Sequence, residues 1–157
     1  DRIVNAEAVL RDYGAPAIIV DSGTATTLCA LITSPKGRPA YLGGAILPGM
    51  EISAQALTRN AARLFMVELT PPQKAIGRNT QAALESGILL GYASMVDGMI
   101  QRFKEEMMNE WGCNQPKVVA TGGISLNLQG LTHSIDSFDT DLTLRGIRYL
   151  YESKTNA

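Results

Sequence analysis

Cysteine and histidine are scarce in this sequence of 157 residues, and their scarcity excludes several kinds of site. The only cysteines are Cys29 and Cys113, and the only histidine is His133. A zinc site built from four cysteines, or from two cysteines and two histidines, is therefore excluded. A serine triad would have to use His133 as its base. So few cysteines also suit a reducing compartment, which predicts a cytoplasmic location.

An excess of charge of one sign is also missing, and so are long apolar runs. Fourteen Lys and Arg residues stand against fifteen Asp and Glu residues, which gives a net charge of -1. That balance provides no basic surface for nucleic acid or for an anionic membrane, so we expect neither as a partner. No apolar run approaches the roughly 18 residues that are needed to span a bilayer.

What the sequence does have is enough apolar residues for a core. Hydrophobic residues make up 45% of the chain and charged residues 18%, which is typical of a folded domain. The length fits one globular domain, so we treat residues 1–157 as a single domain. Because the sequence opens at Asp1 rather than at a methionine, we expect it to be a piece of a longer protein.

The hydrophobic periodicity predicts a mixed α/β architecture. Three short strands joined by tight turns come first, which indicates an antiparallel meander. Helical crossovers then lead to further strands, as in parallel pairing. We therefore predict a mixed sheet, a three-stranded antiparallel meander plus parallel strands, flanked by helices. The predicted helices cover residues 2–13, 52–64, 79–108 and 142–151, and the predicted strands cover residues 17–20, 26–33, 40–47, 117–120 and 134–138.

Three details of this pattern carry expectations for single residues. In the helix over 52–64, the apolar residues that should face inward are Ile52, Ala56, Leu57, Ala61 and Leu64. The pairs Gly43-Gly44 and Pro48-Gly49 should form turns. Small residues recur four apart in the long helix, which is typical either of close helix–sheet packing or of a helix–helix contact across a dimer; they are Ala83, Gly87 and Gly91.

The stretch from Asp21 to Thr27 is the most informative for function. It joins two predicted strands, so the backbone N–H groups of its turn can point outward at an anion. Gly23 allows close approach, the Thr24 hydroxyl can donate to a phosphate oxygen, and Asp21 can hold a cation. The alternative is a plain hairpin turn, because Asp and Gly are common turn residues.

Two further segments have the form of ligand sites. Thr121-Gly122-Gly123 follows a buried strand and precedes a helix, so a ligand can lie against its backbone; it is equally an ordinary strand-to-helix link. Asn79 or Thr80 begins the long helix and can cap it, although a ligand hydroxyl or carboxylate can use the same helix terminus.

Taken in order, these pieces closely resemble the C-terminal half of type III pantothenate kinases, from residue 1 to about residue 152. Each motif alone is weak, and the whole set in family order is specific. The segments that carry the resemblance are Asp1-Arg2-Ile3-Val4-Asn5-Ala6, Asp21-Ser22-Gly23-Thr24-Ala25-Thr26-Thr27, Tyr41-Leu42-Gly43-Gly44, Pro48-Gly49-Met50, Gly77-Arg78-Asn79-Thr80, Val119-Ala120-Thr121-Gly122-Gly123 and Asp141-Leu142-Thr143-Leu144-Arg145-Gly146.

The resemblance implies an actin-like, sugar-kinase-type ATPase fold and a homodimer. It also implies transfer of the ATP γ-phosphate to the primary hydroxyl of pantothenate, the first step of coenzyme A synthesis. On the acceptor side, Asp1 matches the aspartate proposed as general base in the family, and it also contacts the substrate. Arg2 and Thr80 match pantothenate contacts.

On the nucleotide side, the resemblance implies Mg-ATP as co-substrate and a monovalent cation, K⁺ or NH₄⁺. Asp21 matches the aspartate that binds the cation. Thr24, with Gly23 beside it, matches the contact to the ATP phosphates. Gly122 and Gly123 match the glycines on the adenosine side.

The resemblance does not extend to the first half of the family, which carries an Asp-x-Gly-Asn-Thr phosphate loop, or to the Gly-x pair before the family's Asp-Arg. We therefore expect the isolated chain to bind ATP poorly and to be inactive. Two rival functions remain open at this point. One is a regulatory, non-catalytic relative of the family, and the other is a sister kinase with another small-molecule acceptor.

Overall fold

The computed structural model of the chain describes residues 1–60 and 70–155. Its strands are β1 (Ala17–Ser22), β2 (Ala25–Thr33), β3 (Pro39–Pro48), β4 (Lys117–Thr121) and β5 (Ser137–Phe138). Its α-helices are α1 (Arg2–Asp12), α2 (Met50–Asn60), α3 (Thr80–Glu85), α4 (Gly91–Trp111) and α5 (Leu142–Thr155). A π-helical turn (Ser86–Leu90) joins α3 to α4, and a 3₁₀ turn (Ser125–Leu128) follows β4.

The strands form a mixed five-stranded sheet in the order β3-β2-β1-β4-β5. β1, β2 and β3 pair antiparallel, whereas β4 runs parallel to both β1 and β5. The predicted meander followed by parallel strands is therefore confirmed. Because β1 and β4 are parallel neighbours, their carboxyl ends meet at one edge of the sheet.

The central strands are buried on both faces of the sheet. Successive side chains along each strand point to opposite faces and so belong to two different cores. Ile18 and Val20 belong to the core under α4, whereas Ala17 and Ile19 belong to the core under α1 and α5. Side chains alternate between faces along a strand, so Asp21 continues the face of Ile19. The last carboxylate of β1 consequently lies on the side of the sheet that α1 covers.

Helix α2 does not turn the expected residues inward. Ile52 and Leu57 are 43% and 44% exposed, and Ala56 is exposed as well, so this prediction is wrong for all three. The helix starts at Met50, which is buried, and Ala54 one turn later packs against the same core. Met50 and Ala54, which lie one turn apart, therefore form the inward face of the helix. The predicted continuation of the helix through Ala61 and Leu64 lies outside the described residues.

The Gly43-Gly44 pair lies inside β3 and is not a turn, so that prediction is wrong. A β-bulge interrupts the pairing of β3 with β2 between Ala30 and Leu31. A Cβ on Gly44 would lie 1.9 Å from the Leu28 carbonyl oxygen, so glycine is needed for the close approach of the strands. Pro48 is the last residue of β3, and Gly49 alone links the strand to α2, so the pair ends the strand as predicted but Pro48 itself belongs to β3 and not to a turn.

The long helical prediction after residue 79 is confirmed, with the π-helical turn as its one irregularity. The Asn79 side chain caps the helix by accepting a hydrogen bond from the Ala82 N–H at 2.8 Å. Ala83, Gly87 and Gly91 are exposed, so they do not pack against the sheet, and the helix–sheet interpretation of their spacing is wrong. The dimer interpretation stays a prediction. In the parts of the chain that the structure describes, no helix is both long and apolar enough to cross a membrane.

Candidate functional site

A depression of about 390 Å³ lies between the start of α1 and the turn that joins β1 to β2. Five of the residues singled out in the sequence line it together, and they come from segments about twenty residues apart. The lining residues are Asp1, Arg2, Asp21, Gly23, Thr24, Ala25 and Thr27.

A choice by cavity volume alone would favour a different depression. A depression of about 730 Å³ lies between the end of α4 and the start of β4, and none of the predicted site residues lines it. Its charged groups are of both signs, Lys104 and Lys117 beside Glu105 and Asp136. The smaller depression, at the carboxyl end of β1, is the one that brings the chemically informative residues together.

Asp1 reaches the depression because it stands at the N-cap position of α1. Its carbonyl accepts the first helical hydrogen bond from the Asn5 N–H at 2.9 Å. Its side chain makes no capping hydrogen bond and is exposed, so the carboxylate is free to face another group. The positive end of the helix dipole favours a negative charge at this position.

Arg2 borders the depression on the side of Tyr41 on β3. The Tyr41 hydroxyl donates to the Cys29 sulfur at 3.3 Å. Burial first, and then this hydrogen bond, raise the pKa of Tyr41, while the nearby Arg2 acts in the opposite direction. Arg2 therefore lines the depression near Tyr41 and forms no ion pair among residues 1–60 and 70–155.

Asp21 is held by a neutral partner. Its Oδ2 accepts a hydrogen bond from the Asn5 side-chain amide at 2.9 Å. Among the described residues, no Lys, Arg or His forms an ion pair with Asp21. The half-buried carboxylate thus lines the depression without a cationic side chain paired to it, where it can bind a cation.

The turn between β1 and β2 is tighter than the sequence suggests. The Gly23 N–H donates to the Ala25 carbonyl at 3.1 Å, so the expectation that it points outward at an anion is wrong. Thr24 is exposed at the tip, which leaves its hydroxyl accessible. A Cβ on Gly49 would lie 2.2 Å from the Thr24 carbonyl oxygen, so Gly49 supports this turn from the start of α2.

Gly122 lies directly beside Asp21. The register pairs Asp21 with Thr121, and Gly122 follows with a φ of 93°. A Cβ there would lie 2.4 Å from the Ser22 carbonyl oxygen and 2.7 Å from Oδ1 of Asp21. Both the positive φ and the close approach require glycine. Gly123 is exposed with open space around it, so a ligand can lie against its backbone.

Two buried hydroxyl groups flank Asp21 at this edge of the sheet. Ser22 Oγ and Thr121 Oγ1 are fully buried and have no hydrogen-bond partner among the described residues. Buried hydroxyls are normally satisfied, so each of the two marks a position that protein groups leave unfilled. Ser22 directly follows Asp21 on β1 and therefore points to the opposite face of the sheet. Thr121 shares the face of Asp21, because the two residues are directly paired on parallel strands.

These donors fit a monovalent cation. Asp21 offers one carboxylate, and Thr121, whose buried hydroxyl has no partner among the described residues, lies beside it on the same face of the sheet. One negative charge with neutral oxygen donors balances a single positive charge, and the monovalent cation that the resemblance implies stays a prediction.

Thr80 is not among the residues that line the depression. It is exposed in the first turn of α3, next to the capping Asn79. Its contact with pantothenate stays a prediction.

Sequence reasoning missed two residues of this region, Asn5 and Thr143. Asn5 is only 1% exposed on a helix whose other buried residues are apolar. A buried asparagine among alanines and valines is a signal that it binds another polar group, and it was available in the sequence. The partner on α5, Thr143, carries no such signal because threonine is common at helix starts.

Comparison with known proteins agrees with this architecture. A putative Baf family transcriptional activator from Campylobacter jejuni aligns over 100% of this chain and 65% of its own, with 23% identity and a TM-score of 0.66. A non-polymerisable quadruple mutant of pCBH ParM aligns over 88% of this chain and 46% of its own, with 12% identity and a TM-score of 0.51. The chain thus spans less than two thirds of the length of either protein, and the likeness shows a shared actin-like ATPase fold.

The sequence itself matches a family model. The model described as type III pantothenate kinase matches residues 1–102, which contain Asp1, Arg2, Asp21, Thr24 and the rest of the depression. Because the matched segment is 102 of the 157 residues, the chain belongs to the type III pantothenate kinase family.

Proposed function

We propose that the protein containing this chain phosphorylates pantothenate with ATP, giving 4'-phosphopantothenate in the first step of coenzyme A synthesis. The observation that carries the proposal is the depression in which Asp1, Asp21 and Thr24 meet. An acceptor hydroxyl, a phosphate and a cation need carboxylate and hydroxyl groups gathered at one point. Family membership supports a kinase, and the acceptor is the part that we propose.

Asp1 acts on the acceptor. Its free carboxylate orients the primary hydroxyl of pantothenate and takes its proton as the oxygen attacks the γ-phosphorus of ATP. A P–O bond forms to that oxygen, the bond from the γ-phosphorus to the β–γ bridging oxygen breaks, and ADP leaves. Arg2 and Thr80 hold pantothenate. Phosphoryl transfer needs alignment and charge neutralisation more than covalent help, which is what such a site supplies.

Asp21, Thr24 and the two glycines act on the nucleotide. Asp21 would hold K⁺ or NH₄⁺, which when bound supplies positive charge near the phosphates of Mg-ATP. The exposed Thr24 hydroxyl donates to a phosphate oxygen, with Gly23 beside it allowing close approach. Gly122 and Gly123 let the adenosine side of ATP lie against the backbone after β4.

The test is pantothenate-dependent release of ADP by the natural full-length protein, in KCl and in choline chloride at equal ionic strength. We expect release that requires pantothenate and is stimulated by K⁺. Glu110→Gln serves as a charge-loss control, because Glu110 is exposed on α4 and does not line the depression. It should leave the rate unchanged.

Two other outcomes would replace the proposal. A folded protein that releases no ADP in either salt would favour a regulatory role, in keeping with the description of the Campylobacter jejuni protein as a transcriptional activator. Release that depends on another small alcohol from an acceptor panel would favour a sister kinase. The homodimer and the cytoplasmic location stay predictions that this assay does not address.

A further inference from the structure

Asn5 links Asp21 to helix α5 through two hydrogen bonds. Its side-chain Nδ2 donates to Oδ2 of Asp21 at 2.9 Å, and its Oδ1 accepts from the Thr143 hydroxyl at 2.7 Å. Asn5 is 1% exposed and its two partners are half-buried, so both bonds are partly shielded from bulk water. The three side chains form a continuous chain from α5 through α1 to the end of β1.

The chemistry of the three side chains fixes which group donates and which accepts in each of the two hydrogen bonds. A carboxylate only accepts hydrogen bonds, so the amide of Asn5 must present its NH₂ group to Asp21. Its carbonyl oxygen then faces Thr143, which can donate. Bonds in such a chain polarise one another, so donation by Thr143 strengthens the donation by Asn5. A change at Thr143 therefore reaches the carboxylate of Asp21 without touching it.

The packing of α5 on α1 holds Thr143 in place. Gly146 lies one turn after Thr143, and a Cβ there would lie 2.2 Å from the Val4 carbonyl oxygen. The backbones of the two helices thus touch next to Asn5. Leu142, fully buried, anchors the start of α5 in the same core.

We infer that Asn5 and Thr143 are positioning residues for Asp21. They pin Oδ2 and leave Oδ1, beside Gly122, for a bound cation. A neutral amide fixes the carboxylate without cancelling its charge, whereas an arginine in the same place would fix it and neutralise it. The identity of the cation as K⁺ rests on the proposed function.

The test compares Thr143→Val with Thr143→Ser in the natural full-length protein. Valine has the shape of threonine but cannot donate, and serine keeps the hydroxyl. We measure the KCl concentration that gives half of the K⁺-dependent rise in Tm, against choline chloride, and the kcat and KM for ATP of ADP release. Asn5→Ala and Asp21→Ala complete the series.

We expect Thr143→Val to need about threefold to tenfold more KCl, the size of effect that follows from losing a neutral hydrogen bond. Asn5→Ala should need at least about tenfold more, because it removes the hydrogen bond to the charged Asp21 carboxylate. The KM for ATP should rise while kcat at saturating KCl stays within about twofold. Thr143→Ser should respond as the wild type does, and Asp21→Ala should show no response to KCl. A purely structural role would lower the Tm of Thr143→Val without moving its KCl dependence.

The inference is overturned if folded Thr143→Val responds to KCl as the wild type does, or if the wild-type Tm ignores KCl. Failure of the proposed function has a different signature. The KCl response would remain and follow the series, while no pantothenate-dependent ADP would appear.

Discussion

The two ends of helix α1 carry the same kinds of residue in opposite electrostatic states. At its start, Asp1 and Asp21 form no ion pair within the described residues. At its end, Asp12 and Asp139 both pair with Arg145, whose Nε donates to Asp12 at 2.9 Å and whose two terminal nitrogens donate to Asp139. One helix therefore connects a region with two carboxylates outside any ion pair of the described residues to a region where Asp12 and Asp139 share one arginine.

This pairing shifts the pKa values of Asp139 and Arg145 at the end of α1. The hydrogen bond from Arg145 is the main reason why the pKa of Asp139 is lowered, and the two carboxylates raise the pKa of Arg145 in turn. Burial, followed by the hydrogen bond to Asp139, raises the pKa of Tyr13. Through these contacts of Asp12 and Asp139 with Arg145, which we call the clamp, the end of α1 is held against α5. Carboxylates left without such partners, as at the start of α1, are the ones available to substrates and cations.

The largest expected effect is the loss of turnover in Asp1→Asn. If Asp1 accepts the proton of the acceptor hydroxyl, kcat should fall by about 10² to 10⁴. ATP affinity should stay nearly intact, because Asp1 is assigned to the acceptor side. Its side chain makes no capping bond, so the Tm should hardly change. Steady-state kinetics and calorimetry with ATP measure the two effects.

Asp12→Asn is the matched control at the other end of the same helix. It removes a carboxylate that accepts one hydrogen bond from Arg145 and another, at 2.7 Å, from the Tyr149 hydroxyl. We expect a lower Tm and an unchanged kcat. If Asp1→Asn retained the wild-type rate, Asp1 would have no part in the mechanism.

A smaller effect, on stability and its pH dependence, is expected for Asp139→Asn. The pair with Arg145 is partly exposed, with 30% and 12% of the two side chains accessible, so screening limits its contribution to about 1 kcal/mol. Because the folded state lowers the pKa of Asp139, this contribution is present above about pH 3.9 and is lost as the pH falls through the folded-state pKa.

Urea unfolding at pH 7 and at pH 3 checks the sign of this effect. The variant should be less stable than the wild type at pH 7, and the difference should shrink at pH 3. A difference that stayed constant with pH would show that packing, and not the ionised carboxylate, is what Asp139 contributes.

The smallest effect is expected for Glu7→Gln, midway along α1. Arg11 and Glu7 form an exposed pair one turn apart at 2.7 Å. Such pairs contribute about 0.3 kcal/mol, and Arg11 keeps its bond to the Ser153 hydroxyl and its contact with the Tyr149 ring. Thermal unfolding should show a decrease in Tm of about 1 °C. A decrease several times larger would mean that the exposed middle of α1 also belongs to the clamp.

The local sequence was enough to predict the order of elements and most of their positions. Turn residues and apolar runs predicted the meander, and the long helix after residue 79 began with the expected cap at Asn79. These features depend on neighbours in the chain, which a sequence displays directly. The prediction was wrong for α2, where Ile52 and Leu57 fit a helical period but face solvent. The helical spacing of apolar residues predicts which residues share a face. Only the element against which the helix packs decides which face is buried.

The sequence also determined which residues have chemistry to offer, since a turn rich in Asp, Gly and Thr can be recognised without coordinates, although the polar contacts of Asn5 were missed. Only the tertiary structure decided how these residues meet. Asp1 and Asp21 share a depression because α1 lies over the face of β1 on which Asp21 follows Ile19. Thr143 reaches Asn5 because Gly146 lets α5 touch α1. The Thr143–Asn5 contact joins residues 138 positions apart, and a sequence fixes the residue types at both ends but not the distance between them.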